Sequence, residues 1–533
     1  METQFDFIVV GGGSAGCLLA NRLSADQRHS VLLIEAGKPD SHPLVHIPTG
    51  WVNVAYGEKF NWGYRAAPDK GLNGRSIIWP RAKLMGGCSS TNGMVVVRGD
   101  RRDYDHWQSQ DLPGWSWDEL LPYFKRTESY LAGDPEVRGR NGELHVEEAP
   151  HSKISDIYLG SCEQAGIPRN PDTNSGDQFG AGYFQVNIRR GLRQNTSKAF
   201  IKPVRKRKNL TIWTAAEVVR VVLDNGIAKG VEVVRDGTTF VVEAQREIIL
   251  SAGAINSPKL LQLSGIGPQS LLEKYGIVVA ADLPGVGVNL QDHLGVVVGH
   301  EIIQPLALLS QLKPWRLLVN LWLYLTRRQG ILNFPSAHVV AFCHSRQDLP
   351  RPDLQIHFTP ASGSRDDNGN SLVDNIEGVS AMVYPTRPKS RGTVEIASSD
   401  PAAAPLITAN YLAEDYDRTV TIAGVRKLRA IFAAQPFAGV AGKEIRPGAT
   451  IQSDEQILEY ARNHSTTSYH PVGTCKMGTD QLAVVDAQLR VRGVGALRVV
   501  DASVMPDLVS GNTHIAALVI AEKAADMLLA AHA

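Results

Sequence analysis

A strand, a glycine turn, a helix and a second strand ending in an acid fill the first thirty-five residues, and few folds accept that order. Phe5 to Val10 reads as a buried strand, Gly11 to Gly16 as a turn, Cys17 to Leu23 as a helix, and Val31 to Ile34 as a strand stopping at Glu35. Gly11, Gly13 and Gly16 have the GxGxxG spacing. The first permits a tight turn, the second lets backbone approach a pyrophosphate, and the third lets helix pack close on strand. Unpaired amides and the positive end of the helix dipole would face the phosphates. Glu35, about 20 residues past the last glycine, is placed to accept hydrogen bonds from a ribose diol. The stretch predicts a bound dinucleotide and leaves NAD, NADP and FAD open; the bland alternative is a βαβ unit that binds nothing.

At 533 residues the chain exceeds what one compact core usually holds, so two or more lobes are expected. A formal net charge of +1 gives no electrostatic reason to expect nucleic acid. The basic run Lys202 to Lys208 reads as a solvated loop. Cys17, Cys88, Cys162, Cys343 and Cys475 are scattered without metal-ligand or redox-motif spacing, which predicts no metal site, free thiols and a cytoplasmic location. The N-terminal apolar run lacks the basic lead of a signal peptide. No run reaches the ~20 apolar residues of a membrane span. The nearest, Trp315 to Leu325, lies between Lys313 and Arg327-Arg328. It reads as a buried or amphipathic helix, with peripheral contact to the inner face of the membrane as the alternative.

Residues 37 to 80 form a long aromatic, Pro/Gly-punctuated stretch of the kind that wraps a ligand or covers a site. It leads into Arg81 to Met94, rich in glycine and serine, and an apolar run from Val95. Helical patterns follow over 100–130. A three-stranded meander over 217–242 turns at Asp224-Asn225-Gly226 and Asp236-Gly237. The apolar strand Glu247 to Leu250 ends in Ser251-Ala252-Gly253, small residues that suit close backbone approach to a cofactor. Residues 304–330 read as helical, 353–411 as several strands, and Asp415 to Gln435 and Ser453 to His464 as amphipathic helices. The last part returns to a buried strand, Leu497 to Val500, ending at Asp501-Ala502-Ser503. Gly511 to His514 then caps a terminal helix to about Ala531.

The most specific stretch is Thr466 to Gly478, where His470 precedes Pro471 and is held in extended backbone. His514 follows at the start of the terminal helix. With the glycine loop and Glu35, Arg81 to Asn92, Gly253 to Gly267, Tyr469 to Gly478, and Arg498 to His514 all in order, the chain resembles the glucose-methanol-choline (GMC) flavoprotein oxidoreductases from Phe5 to about Met527. It looks most like their choline-dehydrogenase-like bacterial alcohol dehydrogenases.

The resemblance implies an α/β (overall α+β) protein. A Rossmann-like FAD-binding domain would comprise 1–155, 190–300 and 470–533. A substrate-binding domain with a mostly antiparallel sheet flanked by helices would comprise 156–189 and 301–469. FAD would be held at its ADP end by Gly11, Gly13, Ser14, Ala15, Gly16, Glu35 and Ala36, with Val218 at the adenine. Arg81, Gly86, Gly87, Ser90, Asn92, Gly93, Met94 and Val95 match the motif along the pyrophosphate and flavin ring. Asp501, Ala502, Asn512 and Thr513 match the segment at the pyrophosphate and the pyrimidine end of the flavin. His470 matches the catalytic base and His514 its partner on the same substrate oxygen. Thr91 stands where some relatives carry a flavin-bonded histidine, which implies non-covalent FAD. His338 falls where choline-oxidising relatives place a glutamate, which argues against choline.

The expected activity is oxidation of a primary alcohol or polyol hydroxyl, with oxygen, a quinone or another carrier as electron acceptor. A flavin-containing lyase of the same superfamily and a non-catalytic FAD-binding scaffold are the competing readings. The sequence leaves the alcohol, the acceptor and the oligomeric state open.

Overall fold

The computed structural model describes residues 3–368 and 371–533; residues 1, 2, 369 and 370, inside the expected domains, lie outside the described residues. The opening strand Gln4–Val10 sits at the centre of a seven-stranded sheet, between Val31–Glu35 and Thr238–Leu250. Both pairings are parallel, with Ile8 opposite Leu32 on one side and opposite Ile248 on the other. Leu210–Thr214 extends the sheet beyond Val31–Glu35, and Leu497–Val499 adds in parallel to the end of Thr238–Leu250. Parallel strands need covered faces, and Phe7, Ile8, Val9, Leu32, Leu33, Ile249 and Leu250 are all buried.

The expected meander is present as Ala216–Asp224, Ile227–Arg235 and Thr238–Leu250. Its third strand does not end where the alternating pattern stops. It is thirteen residues long and continues into the apolar segment read separately from sequence, antiparallel to its hairpin partner at one end and parallel to Gln4–Val10 at the other. A half-exposed antiparallel strand alternates while a fully covered parallel one does not, so one strand carries two patterns.

The first and last helices, Ser14–Leu23 and His514–Ala531, close this lobe together. Arg22 pairs with Glu522 at 2.7 Å and with Glu143, and Arg126 also reaches Glu522 at 2.7 Å. Glu522 is wholly buried and so depends on both arginines.

The second sheet is antiparallel throughout, in the order Ala441–Arg446, Leu294–Ile302, Gly378–Pro385, Leu354–Thr359, Val339–Cys343, Gly180–Tyr183. Leu294–Ile302 crosses the sequence-drawn boundary at 300, and its register with Gly378–Pro385 puts it in this second sheet. Successive side chains point to opposite faces of a strand, and that alternation builds the site. Val296, Val298, Leu354, Ile356, Phe358, Val379, Ala381 and Val383 pack under the helices Lys153–Gln164 and Asp415–Ala433. Their neighbours Val297, His357, Thr359, Ser380 and Met382 line a cavity on the other face.

The helix expected within 304–330 is Pro314–Arg327, after a short 3-10 turn at Leu308–Leu312. Its orientation is unusual: among its residues only Asn320 and Tyr324 are buried, and its apolar side faces outward.

Candidate active site

One cavity of about 1720 Å³ runs between the two sheets, from Glu35 and Val218 at one end to His470 and Asn512 at the other. Ordinary small-molecule sites occupy ~300–1,000 Å³, so this one has room for a dinucleotide and a further molecule.

The nucleotide end is built mainly from backbone. Gly11 has φ +103° and donates from its amide to Ile34 O at 2.8 Å. A Cβ there would lie 2.6 Å from Ser251 O, and one at Gly16 would lie 1.9 Å from Gly11 O. The loop therefore packs against the Ser251 strand end only with glycine at both places. Glu35 accepts from Gly12 N at 2.9 Å and Gly37 N at 2.7 Å. Burial pushes its carboxyl up to about 7 despite these two bonds.

Gly11, Gly13, Ser14, Ala15, Glu35, Ala36, Arg81, Gly87, Asn92, Gly93, Met94, Val95, Val218, Asp501, Ala502, Asn512 and Thr513 all line the cavity. Gly16, Gly86 and Ser90 do not. Gly16 packs its helix onto the turn, and Gly86 N donates to Gly12 O at 2.7 Å, tying the two glycine segments together. The Ser90 hydroxyl is spent on Met85 O and Asn195 Nδ2.

Three of these lining residues also make contacts within the protein. Arg81, expected along the pyrophosphate and flavin ring, donates from Nη2 to Tyr469 O at 2.9 Å and so braces the loop that carries His470. The Asp501 carboxylate accepts from Gly253 N, the Ser257 hydroxyl and Ser503 N, tethering the strand end at Ser251 to the C-terminal segment. Asn512, expected at the cofactor, has its side chain against His470.

The catalytic end is built from side chains. His470 Nδ1 lies 3.0 Å from His293 Nδ1, and His470 Nε2 lies 2.9 Å from Asn512 Nδ2. His293 Nε2 lies 2.9 Å from Thr386 O, which only accepts. His293 must therefore carry its proton on Nε2, leaving Nδ1 to accept from His470 Nδ1–H. That places the His470 lone pair on Nε2. A second chain fixes Asn512: its Oδ1 accepts from Gln355 Nε2 at 3.2 Å, and Gln355 Oε1 accepts from the Tyr384 hydroxyl at 2.7 Å. His357 Nε2 lies 3.0 Å from the same hydroxyl and donates to it. Asn512 thus presents Nδ2 to His470. An unpaired polar atom at such depth costs about 1–3 kcal/mol, which holds the tautomers in this one arrangement.

The backbone amide of His470 donates to Asp292 Oδ1 at 2.7 Å, and Asp292 also accepts from the Tyr411 and Thr467 hydroxyls. Burial raises the Asp292 carboxyl. Burial lowers His470 well below the ordinary imidazole value, with any positive charge on His293, His357 or Arg81 adding to the effect. Burial also pushes His293 to about 4 and His357 to about 3. All three imidazoles are neutral at pH 7.

His514, expected beside His470, is placed otherwise. It opens the terminal helix with Nδ1 3.0 Å from Ser14 Oγ and its Nε2 buried without a partner. Gln355 holds Asn512, two residues earlier, in the position against His470. His514 still lines the cavity, and burial takes it down to about 4. His338 is not among the lining residues: it lies under Phe334, ring centroids 4.3 Å apart, with Nδ1 3.3 Å from Ser155 Oγ. Its neutrality therefore says nothing about a cationic substrate.

His293, Gln355, His357 and Tyr384 escaped the sequence reading. The one available signal was polar residues among apolar ones in 291–298 and 354–359.

The glycine cradle, the orphaned His514 Nε2 and the small residues Ser251 to Gly253 along the wall fit an extended flavin dinucleotide. The GMC oxidoreductase family models match residues 5–295 and 388–521. Oxygen-dependent choline dehydrogenase of Photobacterium profundum is 40% identical over 99% of this chain and 94% of the relative. The protein of that name from Rhizobium etli is 41% identical over 99% and 96%. Among solved structures, pyridoxine 4-oxidase from Mesorbium loti superposes with TM-score 0.88 at 33% identity, covering 98% of both chains. Formate oxidase superposes with TM-score 0.92 at 26% identity, covering 100% of this chain and 99% of the other. The strand–glycine–helix unit, the cavity between two sheets and these full-length likenesses converge: the chain belongs to the GMC oxidoreductases, FAD-dependent enzymes that oxidise CH–OH donors.

Proposed function

We propose that the protein oxidises a primary alcohol, with His470 Nε2 taking the hydroxyl proton. The observation that carries this is the pair of contacts on His470: Nδ1 is committed to His293, and Nε2 is an unprotonated acceptor beside the amide of Asn512. A carbon releases hydride far more readily as its hydroxyl becomes an alkoxide, so the base must sit within hydrogen-bond reach of that oxygen. The substrate hydroxyl takes the place of the Asn512 amide on Nε2. Asn512 then donates to the substrate oxygen, stabilising its developing charge. Burial keeps His470 in its base form at neutral pH. FAD, when bound, supplies the hydride acceptor at its N5 position.

Gly11, Gly13, Ser14, Ala15, Glu35, Ala36 and Val218 would hold the adenosine and pyrophosphate end, and Gly87, Asn92 to Val95, Ala502 and Thr513 the ring end. Thr91 offers no side-chain nucleophile comparable to an imidazole, so the flavin is non-covalent and acid precipitation frees it. The domain division is 1–155, 190–293 and 470–533 for the flavin lobe, and the rest for the substrate lobe.

Oxygen is the proposed electron acceptor, following the name shared by the relatives. A flavin-containing lyase is not favoured, since those relatives and the superposed structures are dehydrogenases and oxidases. Choline is a second reading. Trp51, Tyr56, Phe334 and Tyr469 line the cavity and aromatic faces attract a quaternary ammonium, although Lys83 already sits 3.9 Å from the Trp62 ring. The deciding experiment mixes the oxidised holoenzyme anaerobically with choline and with uncharged primary alcohols, then admits oxygen or an artificial acceptor. Flavin bleaching by an alcohol and its recovery with oxygen are expected. A flavin that no alcohol bleaches defeats the proposal.

A further inference from the structure

The helix Pro314–Arg327 is attached to the body the wrong way round for an ordinary surface helix, which buries its apolar side. Its inward contacts are polar. Asn320 Oδ1 accepts from Ile331 N at 3.1 Å, and the Tyr324 hydroxyl donates to Gly191 O at 3.0 Å. Its outward side carries Trp315 (61% exposed), Leu318 (69%), Trp322 (56%) and Leu325 (64%), with Leu317, Val319 and Leu321 beside them. Helical spacing joins these side chains into one contiguous patch, and such patches mark interaction surfaces.

We propose that this face seats the enzyme on an anionic lipid bilayer. Charge selects this partner. From residue 302 to 347 the sequence contains no Asp or Glu, and the acid that reaches this segment from elsewhere, Glu377, lies by Lys313 and Arg316 near the start of the helix. Lys313, Arg327 and Arg328 are exposed at the two ends of the helix. Arg189 and Arg190, on the turn that receives the Tyr324 hydroxyl, add two exposed cations. An apolar strip with tryptophans, flanked by basic side chains, is the composition of a helix lying in the lipid interface. A second copy docked face to face on the same patch would bring like charges together, whereas anionic headgroups neutralise them. No helix among the described residues is long and apolar enough to cross a membrane, so the contact is with one leaflet.

The position has a consequence for traffic into the cavity. Leu308 and Leu312 before the helix, and Ile331 and Phe334 after it, are cavity-lining residues. A seated helix therefore holds that wall of the cavity at the lipid surface, where apolar alcohols concentrate.

The test is sedimentation of the holoenzyme with vesicles of equal parts phosphatidylglycerol and phosphatidylcholine, and with phosphatidylcholine alone. Binding to the anionic vesicles, weakened by salt, is expected. The combined variant Trp315→Ser, Leu318→Ser, Trp322→Ser should bind at least about tenfold more weakly, and Arg327→Gln with Arg328→Gln about tenfold more weakly on anionic vesicles. Both variants should keep flavin content and turnover of a water-soluble alcohol, since none of these side chains lines the cavity. Failure of the wild-type holoenzyme to sediment with anionic vesicles overturns the proposal. So does equal sedimentation of the apolar variant, or a concentration-dependent dimer that this variant abolishes, which would assign the face to a second copy.

Discussion

The two ends of the cavity are made by opposite strategies. At the nucleotide end, Gly11, Gly16 and Glu35 come from one short unit and work through backbone: two glycines that allow close approach and a carboxylate held by two amides. At the other end, His293, Gln355, Tyr384, His470 and Asn512 come from five separate segments and work through side chains ordered by one another. Burial acts on both with opposite signs, raising the Glu35 carboxyl to about 7 and lowering His470 far below its usual range. The first end should control whether flavin is present, and the second how fast it turns over.

His470→Ala is the severest test of that division. Losing a general base costs about 10²–10⁴ in rate, so alcohol-driven flavin reduction in stopped flow should fall by about a thousandfold while flavin content stays full. Loss of flavin with it would merge the two ends. Asn512→Leu removes the donor aimed at the developing alkoxide and should lower kcat about a hundredfold, with a smaller change in KM. His293→Phe leaves His470 Nδ1–H without an acceptor. Turnover should drop about tenfold and the acidic limb of the kcat/KM profile should move down, since the neutral His293 accepts from His470 Nδ1–H and so favours its protonated form. An unmoved limb would assign His293 to packing alone.

Gly11→Ala approaches the comparison from the other side. A Cβ 2.6 Å from Ser251 O at φ +103° displaces the loop. The purified protein should carry less than half its flavin, while the fraction that retains it reduces at the wild-type rate. The smallest effect is on stability. Ordinary imidazoles titrate near ~6.5, and His293, His338, His357 and His514 are held at about 4, 4, 3 and 4. Between those limits the unfolded chain binds protons that the folded one refuses, so Tm should fall as pH drops from 6.5 towards 4. Glu35 works the other way in flavin-free protein, its contribution being lost as pH rises from 4.5 through about 7. Apo Glu35→Gln should therefore gain more Tm than the wild type as pH rises over that interval.

The same contrast explains what the sequence made legible. A unit whose parts are adjacent in the chain shows its chemistry as spacing, which is how Gly11 to Glu35 announced a dinucleotide and the Asn225-Gly226 and Asp236-Gly237 turns announced the meander. Residues that meet through strand register leave no such trace. His357 lines the cavity, and Gln355 lies on the same side of the strand, only because Leu354 and Ile356 face the helices, and nothing local says which side is which. His514 illustrates the complementary risk. The family resemblance implied it as the partner of His470, yet Gln355 holds Asn512 in that place. The helix Pro314–Arg327 shows its amphipathic period plainly, but periodicity does not record which side meets the body.

Glu522 carries a last consequence, for biosynthesis. It is fully buried on the terminal helix and neutralised by Arg22, from the first helix, and by Arg126. Arg22 is therefore synthesised some five hundred residues before Glu522, the more deeply buried of its two partners. Until then Glu143 is the only one of its two carboxylate partners available to Arg22, and the helix that covers this part of the lobe is missing. Closure of this lobe therefore waits on the helix His514–Ala531, which packs on Ser14–Leu23.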